Sequence, residues 1–241
     1  MPRVTCDRTA RVNEWEHIST AERGMLEFEN VSKSFWTGTQ RKVILDRASF
    51  RVEVGKSLGI LAPNGTGKTT LINMMAGLEK PDEGVITRTS KISFPLGFMG
   101  GLVSRHTAKE NTRYVARLYG LDPDYVEAFC RWLCGLKEYF DMPVGTYSQG
   151  MRSRLNFSLM LALDFEIYLI DEGMPQTMDA DFNRKAGEIL RERLESTTVI
   201  IVSHQAETLE RFAKSAAVLR DGRIHMFDTL EEAKQLYDYE A

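Results

Sequence analysis

The sequence predicts an α/β fold built on a mixed sheet whose central strands run parallel. Three observations carry this reading. A short apolar run, SLGILA (57–62), leads through a glycine-bearing turn into the helix-like GKTTLINMMAGL (67–78). Two later runs, EIYLID (166–171) and TTVIIVSH (197–204), are apolar without alternation, the pattern of strands covered on both faces. Helical periodicity lies between these runs, and strand–helix–strand order makes neighbouring strands parallel.

The elements follow in order. MLEFENV (25–31) and ASFRVEV (48–54) are apolar or alternating runs bounded by turn residues, and read as strands. The strand over 57–62 and the helix over 67–78 come next. Pro81 stops that helix, because proline cannot continue the backbone hydrogen bonding. GVITRTSKISF (84–94) reads as one or two further strands. From about 107 to 164 the pattern is helical, through TAKENTRYVARLYG, DPDYVEAFCRWLCGLKEYF and SQGMRSRLNFSLMLALD, and an inserted lobe is expected there. The last third alternates: strand 166–171, helix 180–195, strand 197–203, helix 206–213, hairpin 216–227 and helix 230–238. Residues 1–24 are polar and lack the apolar centre of a signal peptide, so a loose tail is expected, with Met1 and Met25 equally good starting points.

Composition bounds the function. Hydrophobic residues make up 43% and charged residues 27% of 241, ordinary values for a globular chain with a filled core. The formal net charge of −3 offers no basic field for nucleic acid, and no nucleic-acid partner is expected. No run approaches the roughly 18 apolar residues that span a bilayer. Three cysteines make no disulfide framework, and a reducing compartment fits best. Cys130 and Cys134 share a helix face without further Cys or His nearby, which does not suggest a metal site.

The strongest local signal is APNGTGKTT (62–70). It fits the phosphate-loop pattern G-x-x-x-x-G-K-[ST] except at its first position, where Ala62 replaces glycine. The chemistry requires backbone N–H groups turned inward on an anion at the start of a helix, whose dipole favours negative charge. Gly65 and Gly67 permit that turn because they lack a Cβ. Pro63, Asn64, Gly65, Thr66, Gly67, Lys68, Thr69 and Thr70 are therefore the expected nucleotide-binding positions. Lys68 supplies charge to the outer phosphates and Thr69 a hydroxyl for Mg²⁺. Ala62 is tolerable there if its φ is negative. A nucleoside triphosphate is the expected ligand.

The buried run ending in Asp171 completes the site. Asp171 is expected beside Mg²⁺, and Glu172 one residue on is suited to orient or deprotonate a water. His204 ends the next buried run at the carboxyl edge of the sheet, where such folds bind ligands. The sequence lacks the Asn/Thr-Lys-x-Asp run by which GTPases read guanine.

Taken in order, the phosphate loop, YSQGM (147–151), the acidic strand end and His204 resemble the ATP-binding subunits of ABC transporters from about residue 25 onward. The resemblance implies a single cassette domain over 25–241, with a P-loop NTPase core, an antiparallel β subdomain and a helical subdomain over about 107–164. It implies ATP and Mg²⁺ as ligands, and a head-to-tail dimer. In such a dimer Ser148, Gln149 and Gly150 of one copy would cap the γ-phosphate held by the other copy's Lys68. Phe35 matches the aromatic that stacks on adenine, with Trp36 beside it as a substitute. Glu172 matches the catalytic carboxylate and His204 the histidine that senses the γ-phosphate.

Departures from the family pattern are visible too. Leu-Ser-Gly-Gly-Gln becomes Tyr147-Ser148-Gln149-Gly150-Met151. Gly97 stands where a Mg²⁺-directed glutamine is sought, and Asp179 follows the strand one residue later than usual. FPLGFMGG, ENTRYVARLYG, the stretch from YFDMPVG to YLIDE, and DADFNRKA are similar to ATPases that drive capsular-polysaccharide export, the polysialic acid type among them. O-antigen and teichoic acid exporters are alternatives, and a soluble ABC ATPase a more distant one. That likeness implies a peripheral place on the cytoplasmic face of the inner membrane and integral permease subunits as partners. Periplasmic co-polymerase and outer-membrane export proteins would be reached through the permease.

Overall fold

A computed structural model describes residues 24–95, 101–171, 180–210 and 213–239. The polar tail expected over 1–24 lies outside them, apart from Gly24. The first two strands are longer than their sequence pattern suggests. β1 (Met25–Thr37) and β2 (Gln40–Glu53) form one antiparallel hairpin closed by Gly38 and Thr39. Gly38 has φ +62°, which a two-residue hairpin turn requires and glycine allows. Register shifts between Phe28 and Val31, Val31 and Lys33, and Lys33 and Ser34 interrupt the pairing. Each shift breaks the two-residue alternation that identifies a strand, so only 25–31 and 48–54 are legible as such.

β4 (Glu83–Arg88) pairs with the other side of β1, giving a three-stranded antiparallel sheet in the order β2-β1-β4. The stretch after it is not a second strand; Ile92 makes only an isolated bridge to Ile167. The main sheet holds β3 (Leu58–Leu61), β5 (Ile167–Asp171), β6 (Thr198–Ser203), β7 (Ser215–Arg220) and β8 (Arg223–Phe227), ordered β5-β6-β3-β7-β8. All contacts are parallel except that of β7 with β8.

Alternation along the parallel strands divides the interior into two cores. Ile60, Leu169, Ile200 and Val202 face the small sheet and α1 (Lys68–Met75), whose Leu71, Ile72, Met74 and Met75 are fully buried. Leu61, Tyr168, Ile170 and Ile201 face α4 (Gln149–Ala162) and α5 (Ala180–Ser196). Burying each such side chain contributes about 1.5–3 kcal/mol, so both faces hold the strands in register. Arg88 on β4 donates to the carbonyls of Met74 and Met75, placing a cation at the C-terminal end of α1 where the helix dipole favours it.

The helical lobe contains α2 (Ala108–Leu118), α3 (Pro123–Cys134) and α4, with two short 3₁₀ turns over Lys137–Asp141 and Val144–Thr146. Thr107 and Glu110 form a reciprocal cap at the start of α2, and Asp122 caps α3 with Pro123 as its first residue. Cys130 and Cys134 are buried inside the lobe, and burial pushes the Cys134 thiol up to about 11. The chain ends in α6 (Ala206–Leu209) and α7 (Leu230–Tyr239). The helix predicted over 206–213 is thus seen to Leu209, with positions 211 and 212 outside the described residues.

Candidate functional site

The carboxyl ends of β3, β5 and β6 lie side by side, with Leu61 paired to Ser203 and Asp171 to Val202. Loops leaving one edge of a parallel sheet face a common crevice, and three predicted site segments start here. After β3 the chain turns through Gly65 (φ +80°) and Gly67 (φ +105°) into α1. Ala62 is fully buried, and its N–H donates to the Ser203 carbonyl at 3.0 Å. The described non-glycine residues with positive φ are Asn30, Arg47, Lys137 and Asp221, so Ala62 meets the condition its methyl group imposes.

Inside the loop, Lys68 is only 8% exposed. Its Nζ donates to Asn64 Oδ1 at 2.8 Å and reaches the Ala62 carbonyl at 3.4 Å. Thr66 Oγ1 closes the turn onto the Pro63 carbonyl at 2.8 Å. Lys68, Thr69 and Thr70 form the first turn of α1, which has no acidic residue to oppose an anion. Gly67 has a second reason to be glycine: a Cβ there would stand 2.5 Å from Ile44 Cγ2. Gly67→Ala combines that clash with a strained φ, and is expected to cost about 1–3 kcal/mol by chemical denaturation while weakening ATP binding.

Thr69 Oγ1 donates to Asp171 Oδ2 at 3.2 Å across 102 positions of sequence. The structure thus brings together the two predicted Mg²⁺ ligands, a hydroxyl and a carboxylate, both oxygens of the kind a hard cation takes. Among the described residues no group of three or more His, Cys, Asp and Glu could hold a metal. His204 follows β6 half-buried, and its carbonyl accepts from Tyr237 of α7 at 3.2 Å. Glu172, Gly97 and Asp179 lie outside the described residues.

The segment YSQGM (147–151) belongs to the helical lobe and not to the loops of this crevice. Ser148 is the N-cap of α4, with its Oγ accepting from the Met151 N–H at 3.3 Å, and Gln149 and Gly150 open the helix. α4 packs mainly on α3 and α5, whereas α1 packs mainly on β5 and β6. Ser148 and Gln149 are exposed. No hydrogen bond involving Ser148, Gln149 or Gly150 reaches the phosphate loop among the described residues. Tyr147, where the family has leucine, is 3% exposed in the lobe core and donates its hydroxyl to the Tyr139 carbonyl. Burial pushes that hydroxyl's pKa up to about 12, so it remains a donor.

Phe35 lies within β1 rather than after a strand, and is 40% exposed. It pairs across the hairpin with Lys42, whose Nζ lies 3.9 Å from where a Cβ on Gly65 would stand. Directly paired residues share a face, so Phe35 is on the side of the phosphate loop and Trp36, 73% exposed, on the other. Lys42 and two further residues carry no motif in the sequence. Ser93 is fully buried, takes the Leu169 N–H on its Oγ at 2.9 Å and donates its own N–H to the Ile167 carbonyl at 2.9 Å. Asn111, buried in α2, accepts from the Val103 N–H at 2.7 Å and anchors the segment entering the lobe. A lone polar residue in an apolar run, as in KISF, was the available signal for Ser93.

Comparison with known proteins gives the family and the fold. The ABC transporter family model matches residues 45–174. The ATP-binding protein BexA of Haemophilus influenzae is 38% identical over 214 residues, covering 89% of this chain and 98% of that protein. The capsule polysaccharide export ATP-binding protein CtrD of Neisseria meningitidis serogroup B is also 38% identical over 214 residues, covering 89% and 99%. Among solved structures, a dimeric post-hydrolysis state of the ATP-binding cassette MJ0796 bound to ADP and Pi superposes with a TM-score of 0.65 at 22% identity. The match covers 85% of this chain and 98% of that one, and the fold is shared.

Proposed function

This chain belongs to the ABC transporter family, and from that premise we propose that it is the ATP-hydrolysing subunit of an exporter of capsular polysaccharide. The named relatives supply the cargo class: CtrD is called a capsule polysaccharide export ATP-binding protein. Among the described residues no helix is long and apolar enough to cross a membrane, so the membrane path would belong to integral permease subunits. The chain would act peripherally on the cytoplasmic face of the inner membrane. Periplasmic co-polymerase and outer-membrane export proteins would connect through that permease. Val103, Leu118 and Trp132 are exposed apolar residues of the helical lobe and its approach, and favour that region as the permease contact.

The observation that carries the mechanism is that Ser148 opens α4, which packs on α3 and α5, whereas Lys68 opens α1, which packs on β5 and β6. Two copies arranged head to tail would place each Ser148 over the neighbour's triphosphate, and the related cassette MJ0796 is described as dimeric. Phe35 would receive the adenine, and the turn from Pro63 to Thr70 the phosphates. Lys68 would offset charge on the outer phosphates, and the N-terminus of α4 with Ser148 Oγ would do so from the other side. Thr69 and Asp171 would hold Mg²⁺, which when bound offsets charge on the phosphate oxygens. Glu172 would orient the attacking water, and His204 would sense the γ-phosphate from the end of β6.

Two measurements test this reading. Specific ATPase activity of the purified chain should rise with protein concentration, because the complete site needs two copies. Ser148→Arg should lower turnover by about 10²-fold or more while ATP still binds each copy. Turnover independent of both concentration and Ser148 would contradict it. Loss of the chain in cells should leave polysaccharide trapped in the cytoplasm, and undiminished surface polysaccharide would reject the cargo.

A further inference from the structure

Lys33, a residue of β1 that the sequence did not mark, is 8% exposed. Its ammonium pairs with Glu79 at 2.6 Å and Asp82 at 3.1 Å, and donates to the Lys80 carbonyl at 2.9 Å. Three acceptors match the three donors of an ammonium, which is what burial of that charge demands. The same nitrogen lies 4.9 Å from the centre of the Phe35 ring, over its face. Asp82 is itself tied to the residue between them: its Oδ2 accepts from the Ser34 N–H at 2.7 Å and from Ser34 Oγ at 3.3 Å. The Ser34 N–H bond, with the Lys33 ammonium beside it, holds the Asp82 carboxyl below its ordinary value, and the Glu79 hydrogen bond leads in raising Lys33.

The partners of Lys33 are as telling as its burial. Glu79, Lys80 and Asp82 follow the C-terminal end of α1, and the first residue of α1 is Lys68. Residues 33 to 35 of β1 are thereby fastened to the far end of the helix that opens at the phosphate loop. Taking an ammonium out of water is costly, and here the carboxylates of Glu79 and Asp82 offset that cost while the charge is held beside Phe35. A cation over one face of an aromatic ring fixes the ring's tilt and draws its electron density, and a ring so polarised stacks better on an electron-rich purine. Phe35 is 40% exposed and retains surface for such a base.

We propose that Lys33 is a positioning residue for nucleotide binding: it sets the Phe35 ring as the purine platform and fixes that platform relative to the phosphate loop. The proposal rests on the reading of Phe35 as the contact for the base of ATP. Lys33 does not touch the nucleotide; it acts through Phe35, and so affects the base end of the ligand alone.

Calorimetric titration of the full chain with ATP and with inorganic tripolyphosphate, which has no base, separates the possibilities. Lys33→Met should weaken ATP about three- to tenfold and change tripolyphosphate affinity by less than about twofold, and Lys33→Arg should restore most of the loss. Asp82→Asn keeps an acceptor for Ser34 but removes one charge holding Lys33. It should give a smaller loss in the same direction, and stands in should Lys33→Met not fold. Equal loss of ATP and tripolyphosphate would make Lys33 a prop for the loop and overturn the proposal. So would unchanged binding of both while Phe35→Ala selectively weakens ATP, a result that leaves the platform standing. If Phe35→Ala leaves ATP binding intact, the platform reading fails and takes the proposal with it.

Discussion

Lys68→Ala should abolish measurable hydrolysis, lowering turnover by about 10³-fold, and weaken ATP binding about tenfold to a hundredfold. The size of the effect follows from where the ammonium sits. It is 8% exposed and aimed along the inside of the turn by Asn64 and the Ala62 carbonyl, so its charge acts on phosphate with little screening by water. A hydrogen bond to a charged group is worth about 1.5–3 kcal/mol in binding. The charge that develops in phosphoryl transfer adds to that in the transition state. Titration calorimetry and a steady-state assay measure the two losses separately. Hydrolysis falling no further than binding would make Lys68 a ground-state contact only.

Glu172→Gln should slow hydrolysis by about 10²–10⁴-fold while leaving ATP affinity within a few fold of wild type. Glu172 follows Asp171 in the sequence, and Asp171 Oδ2 accepts from the Thr69 hydroxyl at the start of α1. The amide preserves size and removes the basic oxygen, so under the proposed role positioning would survive and water activation would not. Blocking hydrolysis should also preserve the closed pair, because a ligand bound between two copies stabilises their association. Light scattering should then show a dimer with ATP and a monomer with ADP. Turnover near wild type would remove Glu172 from its role.

What could be read from the sequence depended on how local its cause is. The loop from Pro63 to Thr70 declares itself, because the demand for inward N–H groups falls on adjacent residues. β5 and β6 were legible because strands covered on both faces carry unbroken apolar runs. Thr69 and Asp171 meet from 102 positions apart, yet each belongs to a local pattern and so could be paired in advance. The hairpin of β1 and β2 was hidden by three register shifts that spoil alternation over the very residues leading to Phe35. Lys33 was hidden more deeply. Its partners stand up to 49 positions away and carry no motif, so an ordinary surface lysine and a buried junction look the same in one dimension. Trp36 and Phe35 could be told apart only once Lys42 showed which face of the hairpin turns toward the loop.

The central claim, that a working site is shared between two copies, is tested most directly by mixing two inactive variants. Lys68→Ala and Ser148→Arg chains should each be inactive alone. In a mixed pair, the intact phosphate loop of one would meet the intact Ser148 turn of the other. Activity should therefore return on mixing, up to about a quarter of wild type if pairing is random. A mixture as inactive as its components would contradict the shared site.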